Sequence, residues 1–206
     1  ESSSVKSSKD IQKYLPGAVQ ACAGGVDRIH LISRRIDGAM LQELFTHKGV
    51  GCMISRGPLQ TFRSAEIDDV GGILELIEPL ESEGVLARRD RKLIEIEIDR
   101  FLVLEYDNMI VGCAALNHFP GTHIGELTCL AIHSDYRNKG YGDALLKHIK
   151  TRAKNNGINE LIVLTTKAFH WFTERGFNET SIEKLPKMRQ GGYNYKRRSK
   201  IFIRSI

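Results

Sequence analysis

Glu126-Leu-Thr-Cys-Leu-Ala-Ile132, followed shortly by Arg137-Asn-Lys-Gly140-Tyr-Gly142, reads as a strand that runs into a glycine-rich turn and opens a helix. Backbone N–H groups at a helix N-terminus lack intrahelical partners and carry the positive end of the helix dipole, an arrangement suited to a pyrophosphate. Glycine lets that backbone approach an anion without an intervening Cβ. Arg137 and Lys139 add positive charge. The spacing fits neither a Walker loop, which needs Gly-Lys-Ser/Thr, nor the dinucleotide pattern GxGxxG. Beyond the turn, Tyr141, Ala144, Leu145, His148, Ile149 and Ala153 share one helical face, and Gly157 is the expected terminator.

On either side the pattern is that of a mixed α/β (α+β) domain. Leu59 to Arg63 reads as a strand, and Ile67, Val70, Ile73, Leu74, Ile77 and Leu80 recur at helical spacing. Arg91 to Asp99 predicts a second helix. Phe101 to Tyr106, the turn Asp107-Asn108 and Met109 to Leu116 predict a β-hairpin. Downstream come a strand at Leu161 to Leu164, a helix at Ala168 to Arg175 ending on Gly176, and strands near Phe177 and at Ile201 to Arg204.

The N-terminal part has a different organisation. Residues 1–10, rich in Ser and Lys, predict a mobile tail. Ile11 to Ala23 is helical, Arg28 to Ile32 a strand, Gly38 to Phe45 a helix and Gly49 to Ile54 a strand. Strand, helix, strand favours parallel pairing. This small α/β fragment looks like the end of a larger domain, and Ser55-Arg56-Gly57-Pro58 reads as a linker, giving expected domains at 1–57 and 58–206. The first residue is Glu, so the sequence is expected to have been trimmed from something longer.

Among 206 residues, 41% are hydrophobic and 27% charged, as in an ordinary globular protein. No apolar run approaches the roughly 20 residues a membrane span needs, and the start lacks a signal-like apolar core, so a cytoplasmic location is expected. Cys22, Cys52, Cys113 and Cys129 have no metal-ligand spacing and sit in apolar stretches, which predicts reduced thiols and no metal. With a net charge of +5, the basic residues fall mainly at Arg88 to Lys92, at Arg137 with Lys139, and at Lys196 to Lys200. Three separate patches suit anionic groups on small ligands. They argue against nucleic acid, since only Tyr193 and Tyr195 are interleaved with them.

In Arg137, Gly140 and Gly142 the turn fills the fixed positions of (Q/R)xxGx(G/A), and so resembles the pyrophosphate signature of the GNAT acetyltransferases. IDDVGGILELIEPLESEGVLARR, EIDRFLVLEYDNMIVGCAAL, GELTCLAIHSDYR, LTTKAFHWFTERGF and YNYKRRSK resemble the acetyltransferase domain of the bacterial N-acetylglutamate synthase family over nearly all of residues 62–200. GGVDRIHLI, GAMLQELF and GVGCMI resemble the end of that family's amino-acid-kinase-like domain, which binds arginine as a feedback regulator. The resemblance implies a GNAT fold, with helices flanking a mixed, mostly antiparallel sheet. It also implies acetyl transfer from acetyl-CoA to the α-amino group of L-glutamate, arginine as a regulator, and a homo-oligomer.

It further implies a site. Cys129, Leu130, Ala131 and Ile132 would pair with the pantetheine arm, and Arg137, Asn138, Lys139, Gly140, Tyr141, Gly142 and Asp143 would hold the pyrophosphate. Phe169 or Phe172 would lie further along the arm, with Phe172 preferred. A protonated amine is no nucleophile, so a carboxylate must take its proton. Glu126 matches the family's base, the alternative being an exposed strand Glu. Backbone N–H groups near Leu130 would stabilise the oxyanion. Thr165 matches the family's hydroxyl donor, against a simple capping Thr. Arg89 and Arg198 match the arginines that grip the dicarboxylate, although Arg88 or Arg197 could substitute. An acetylated Cys129 is disfavoured because no His stands at an activating spacing; His118, His123 and His170 are read as structural or exposed, while His133, right after the coenzyme strand, is the more interesting of the four. Two other readings stand beside this one: a GNAT enzyme for another amine, and a catalytically silent regulatory module.

Overall fold

The computed structural model describes residues 9–46 and 49–206. The chain divides into two compact units between Leu59 and Gln60.

In the first unit a helix, α1 (Lys9–Ala23), precedes a strand, β1 (Arg28–Leu31), a short helix, α2 (Ala39–Phe45), and a second strand, β2 (Cys52–Ser55). Residues 9 and 10 of the expected tail therefore open a helix, and the rest of that tail lies outside the described residues. The two strands pair antiparallel, Ile29 opposite Ile54 and Leu31 opposite Cys52, contrary to the parallel expectation. A parallel return needs a crossover helix that buries its apolar face on the strands. Here α2 has seven residues and leaves Met40, Leu41, Leu44 and Phe45 exposed, so the connection acts as a long hairpin loop. Glu43 fastens it, accepting from the Val50 and Gly51 N–H groups at 2.8 Å and pairing with His30 Nδ1 at 2.7 Å.

The second unit carries β3 (Gln60–Ser64), α3 (Val70–Ser82), α4 (Arg91–Ile96), β4 (Phe101–Tyr106), β5 (Met109–His118), β6 (Ile124–Ile132), α5 (Tyr141–Asn155), β7 (Glu160–Thr165), α6 (Phe169–Glu174), β8 (Asn178–Thr180), α7 (Lys187–Gly191) and β9 (Lys200–Ser205). The strands form one open sheet in the order β3-β4-β5-β6-β7-β9-β8. Every neighbouring pair is antiparallel except β6 and β7. Asp107 and Asn108 both take positive φ in the β4–β5 turn, as a two-residue hairpin with right-handed strand twist requires. The helix expected over Arg91 to Asp99 stops at Ile96, and the chain continues as a 3-10 turn over Ile98–Arg100.

Alternation along β4 sends Phe101 and Val103 to one face and Leu102 and Leu104 to the other, so the sheet has a core on both sides. Ile73 and Ile77 of α3 join the first core; Leu145, Leu146 and Ile149 of α5 join the second. On α5 the predicted face is displaced slightly: Leu146 is buried while His148 is exposed and stacks on Phe62, with ring centroids 4.6 Å apart. Burial of one such aliphatic side chain contributes about 1.5–3 kcal/mol. All four cysteines are free. Among the described residues no helix is long and apolar enough to cross a membrane.

Candidate active site

The site begins with an irregularity in β6. Opposite β5, Thr128 pairs with Ala115 and Ala131 with Cys113, so Cys129 and Leu130 together face the single residue Ala114. Cys129 takes φ of 53° to make this bulge. A bulge bends its strand and reverses the facing of the residues beyond it. Leu127 accordingly packs in the α5 core, whereas Cys129 and Ala131 pack in the α3 core. On the other side, the parallel ladder to β7 ends at Leu127 opposite Val163. Beyond that point the strands diverge around a cleft of about 990 Å³.

One wall is the edge of β6 from Thr128 to Ile132, leading to the glycine-rich turn. The turn needs its glycine: Gly140 is the residue before α5 and has φ of 78°. Gly142 lies against Trp171, whose ring a Cβ there would meet at 3.2 Å. Arg137 Nε donates to the Ile132 carbonyl at 3.2 Å, tying the turn to the strand. Asp143 in the first turn of α5 pairs with Arg175, which also lies 3.9 Å from the centre of the Trp171 ring. The hydrogen bond from Arg175 holds the Asp143 carboxyl below its ordinary value.

The opposite end holds the groups suited to acid–base work. Glu126 is 4% exposed, not the exposed strand residue that was the alternative, and both its oxygens accept from Arg189: Nε at 2.7 Å and Nη2 at 3.0 Å. Arg189 also donates to the Gly192 carbonyl at 3.0 Å. Thr165 is buried, and its hydroxyl oxygen accepts from the Ala168 N–H at 3.0 Å. That bond caps the β7–α6 turn and leaves the hydroxyl proton free to be donated. Arg89 lines the cleft with its main chain fixed by Glu81, and its Nε is buried without a partner among the described residues. The Cys113 thiol donates to the Cys129 carbonyl at 3.3 Å. Interaction with Cys129 and burial push the Cys113 thiol well above its usual range; the same interaction and the charge of Arg89 lower that of Cys129.

The cleft thus gathers Glu126, Thr165, Arg89, Cys129, Leu130, Ala131, Ile132, Arg137, Asn138, Gly140, Tyr141, Gly142, Asp143 and Phe172. Two expected residues fall outside its lining. Lys139 sits 4.9 Å over the Tyr136 ring, and Arg198 is exposed in a left-handed conformation with φ of 52° at the end of a 3-10 turn. Its neighbour Arg197 does line the cleft, but Arg197 Nη2 is occupied by the Gly84 and Val85 carbonyls at 3.3 and 3.2 Å. Phe169 is also outside, whereas Trp171 and Tyr193 are lining residues that sequence reasoning missed. Arg189 was missed as well; it is 63 positions from Glu126, and no motif links them. None of His118, His123, His133 or His170 reaches the cleft; His118 pairs with the Thr122 carbonyl and His123 with that of Gly157. Among the described residues no cluster of His, Cys, Asp or Glu could hold a metal.

Comparison with known proteins gives this geometry a family. Residues 71–177 match the Acetyltransferase (GNAT) family. The amino-acid acetyltransferase of Yersinia pseudotuberculosis is 48% identical over 194 residues, which is 94% of this chain and 44% of that protein. N-acetylglutamate synthase from Neisseria gonorrhoeae complexed with coenzyme A and L-arginine superposes with a TM-score of 0.80 at 37% identity, covering 98% of this chain and 46% of that one. The complex of the Neisseria enzyme with coenzyme A and N-acetyl-glutamate gives 0.69 at 38% identity, covering 97% and 47%. The chain therefore spans less than half the length of these relatives. On the match across residues 71–177, this chain belongs to the GNAT family of acetyltransferases.

Proposed function

We propose that this chain transfers the acetyl group of acetyl-CoA to the α-amino group of L-glutamate, the first step of arginine biosynthesis. The observation that carries the reading is a single cleft with the unpaired edge of β6 and the Gly140 turn at one end, and Glu126, Thr165 and Arg89 at the other. The residues suit acetyl-CoA: the turn leaves room above Gly140, where a Cβ would meet nothing within 4 Å, and the strand edge offers main-chain groups to an extended amide-containing arm. Arg137, with Asn138, Tyr141 and Gly142 beside it, would receive the pyrophosphate, and Phe172 would bound the arm.

In the reaction, Glu126 takes one proton from the substrate ammonium, and the freed lone pair forms the new N–C bond. Main-chain N–H groups at the bulge near Leu130 meet the developing oxyanion. Collapse breaks the C–S bond, and the surplus proton on nitrogen leaves as the thiolate is protonated through Thr165. Arg189 holds the plane of the Glu126 carboxylate. Arg89 takes one substrate carboxylate, and Arg198 the other once its exposed turn swings inward; its left-handed backbone and its side chain's lack of a hydrogen-bond or ion-pair partner among the described residues favour it over the engaged Arg197. Direct attack is favoured over an acetylated Cys129, since among the described residues no histidine lines the cleft beside that thiol.

The unit preceding Gln60 is, on this reading, the end of an amino-acid-kinase-like domain, through which arginine regulates a homo-oligomer of the whole protein. Release of free thiol from acetyl-CoA, measured with glutamate, aspartate and ornithine in parallel, tests the substrate. Preference for glutamate is expected. Equal or greater turnover of ornithine would replace glutamate with another amine, and coenzyme binding without turnover of any of the three would leave the silent module.

A further inference from the structure

Two buried side-chain polar atoms lack a partner among the described residues, Arg89 Nε and Thr128 Oγ1, and both residues line the same cleft. A buried polar atom left unsatisfied carries the full cost of its desolvation, so their convergence marks where the chain is shaped for polar atoms of a ligand. Arg89 is accounted for by a carboxylate. Thr128 is not.

Its position identifies what it meets. Thr128 lies two residues after Glu126 on β6, opposite Ala115, with Glu126 opposite Asn117, so both side chains leave the same face of the sheet. Their Cα atoms are about 6.6 Å apart along the strand, a gap that one nitrogen or oxygen atom can bridge between side chains. Both Glu126 oxygens are already engaged by Arg189, which orients the carboxylate without supplying a second acceptor for a substrate N–H. The bulge comes immediately after, at Cys129, so Thr128 is the last residue of the regular alternation that it shares with Glu126. A hydroxyl there is uncharged and can accept from a cation.

We infer that Thr128 is a positioning residue for the reacting amine, its Oγ1 accepting a hydrogen bond from the substrate nitrogen while Glu126 takes the proton. An amine that has lost one proton to Glu126 keeps two hydrogens, and fixing one of them on Thr128 aims the lone pair at the thioester carbonyl. This deepens the proposed function and rests on an amine substrate, not on glutamate in particular.

The test compares glutamate with glutarate, which has the same two carboxylates and no nitrogen. Calorimetric binding of each to the CoA-loaded chain is measured for the wild type, Thr128→Val and Thr128→Ser, with CoA affinity confirming that each variant is folded. The valine variant should weaken glutamate about tenfold and leave glutarate unchanged, as loss of one hydrogen bond to a charged group predicts, and serine should restore most of the loss. Its kcat should fall as well. Equal weakening of both ligands, or no change with either, overturns the inference while leaving glutamate turnover by the wild type intact. If aspartate or ornithine binds in place of glutamate and shows the same dependence on Thr128, glutamate is the wrong substrate and the positioning role stands. A wild type that binds none of the three amines sinks both.

Discussion

The two ends of the cleft are built in different ways. The end proposed for the coenzyme comes from one continuous run, the second half of β6, the turn and the start of α5, with each part held by main-chain bonds or by a neighbour such as Trp171. The end proposed for the substrate is assembled from segments distant in sequence: Glu126 on a strand, Arg89 on the loop after α3 and Arg189 on the five-residue α7, with Arg198 outside the lining on a nearby 3-10 turn. Regular, contiguous elements fix a generic ligand. Irregular segments bring charges together for a particular one.

This contrast predicts that substitutions will separate cleanly by end. The largest effect belongs to Glu126→Gln, which should lower kcat about a thousandfold while calorimetry finds CoA affinity unchanged; an unimpaired variant would remove Glu126 as base. Next, Arg198→Ala should raise KM for glutamate about thirtyfold with little change in Tm, the loss expected for a charge-assisted pair. Arg197→Ala should do the reverse, lowering Tm by a few degrees through loss of its bonds to Gly84 and Val85. If Arg197→Ala carries the KM effect, the two have exchanged roles. At the coenzyme end, Gly140→Ala should raise KM for acetyl-CoA about fivefold, since a side chain at φ of 78° costs about 1 kcal/mol, and leave KM for glutamate alone.

The smallest effect concerns pH. Arg175 depresses the folded-state value of Asp143, so the pair adds stability above the unfolded value of about 3.9 and loses it as pH falls through the lower folded value. With the Asp143 side chain 54% exposed, solvent reduces the contribution to a few tenths of a kcal/mol. The Tm difference between wild type and Asp143→Asn should therefore be about 1 °C or less, flat from neutral pH to about 5, and should fall away as pH drops through the lowered folded value. A difference that grows on acidification would contradict the sign.

The same contrast explains what the sequence disclosed. The strand, turn and helix from Glu126 to Ala153 could be read directly because periodicity, glycine placement and charge all act over a few residues. The hairpin at Asp107-Asn108 was equally local. The Arg189–Glu126 pair had no such signature, because only the tertiary fold brings positions 126 and 189 together. Arg197 and Arg198 could not be told apart in sequence because the direction of a short turn, which no propensity encodes, decides that Arg197 lines the cleft and Arg198 is exposed. The antiparallel pairing of β1 and β2 was missed for a similar reason: strand, helix, strand reads as parallel unless one knows that α2 leaves its apolar side chains off the strands.

The bulge at Cys129 also turns β6 into a ruler. On the proposed binding of acetyl-CoA, an anchored pyrophosphate would set the zero mark at the Gly140 turn, and each strand residue would advance an extended arm by about 3.3 Å toward Glu126. Deleting one residue from the bulge would do more than shift that reach by one graduation. It would return Ala131 and Ile132 to the opposite faces and, on the proposed mechanism, set the acyl carbon out of step with Glu126, so the acceptable length of the donor would be recorded in the count of residues between turn and carboxylate.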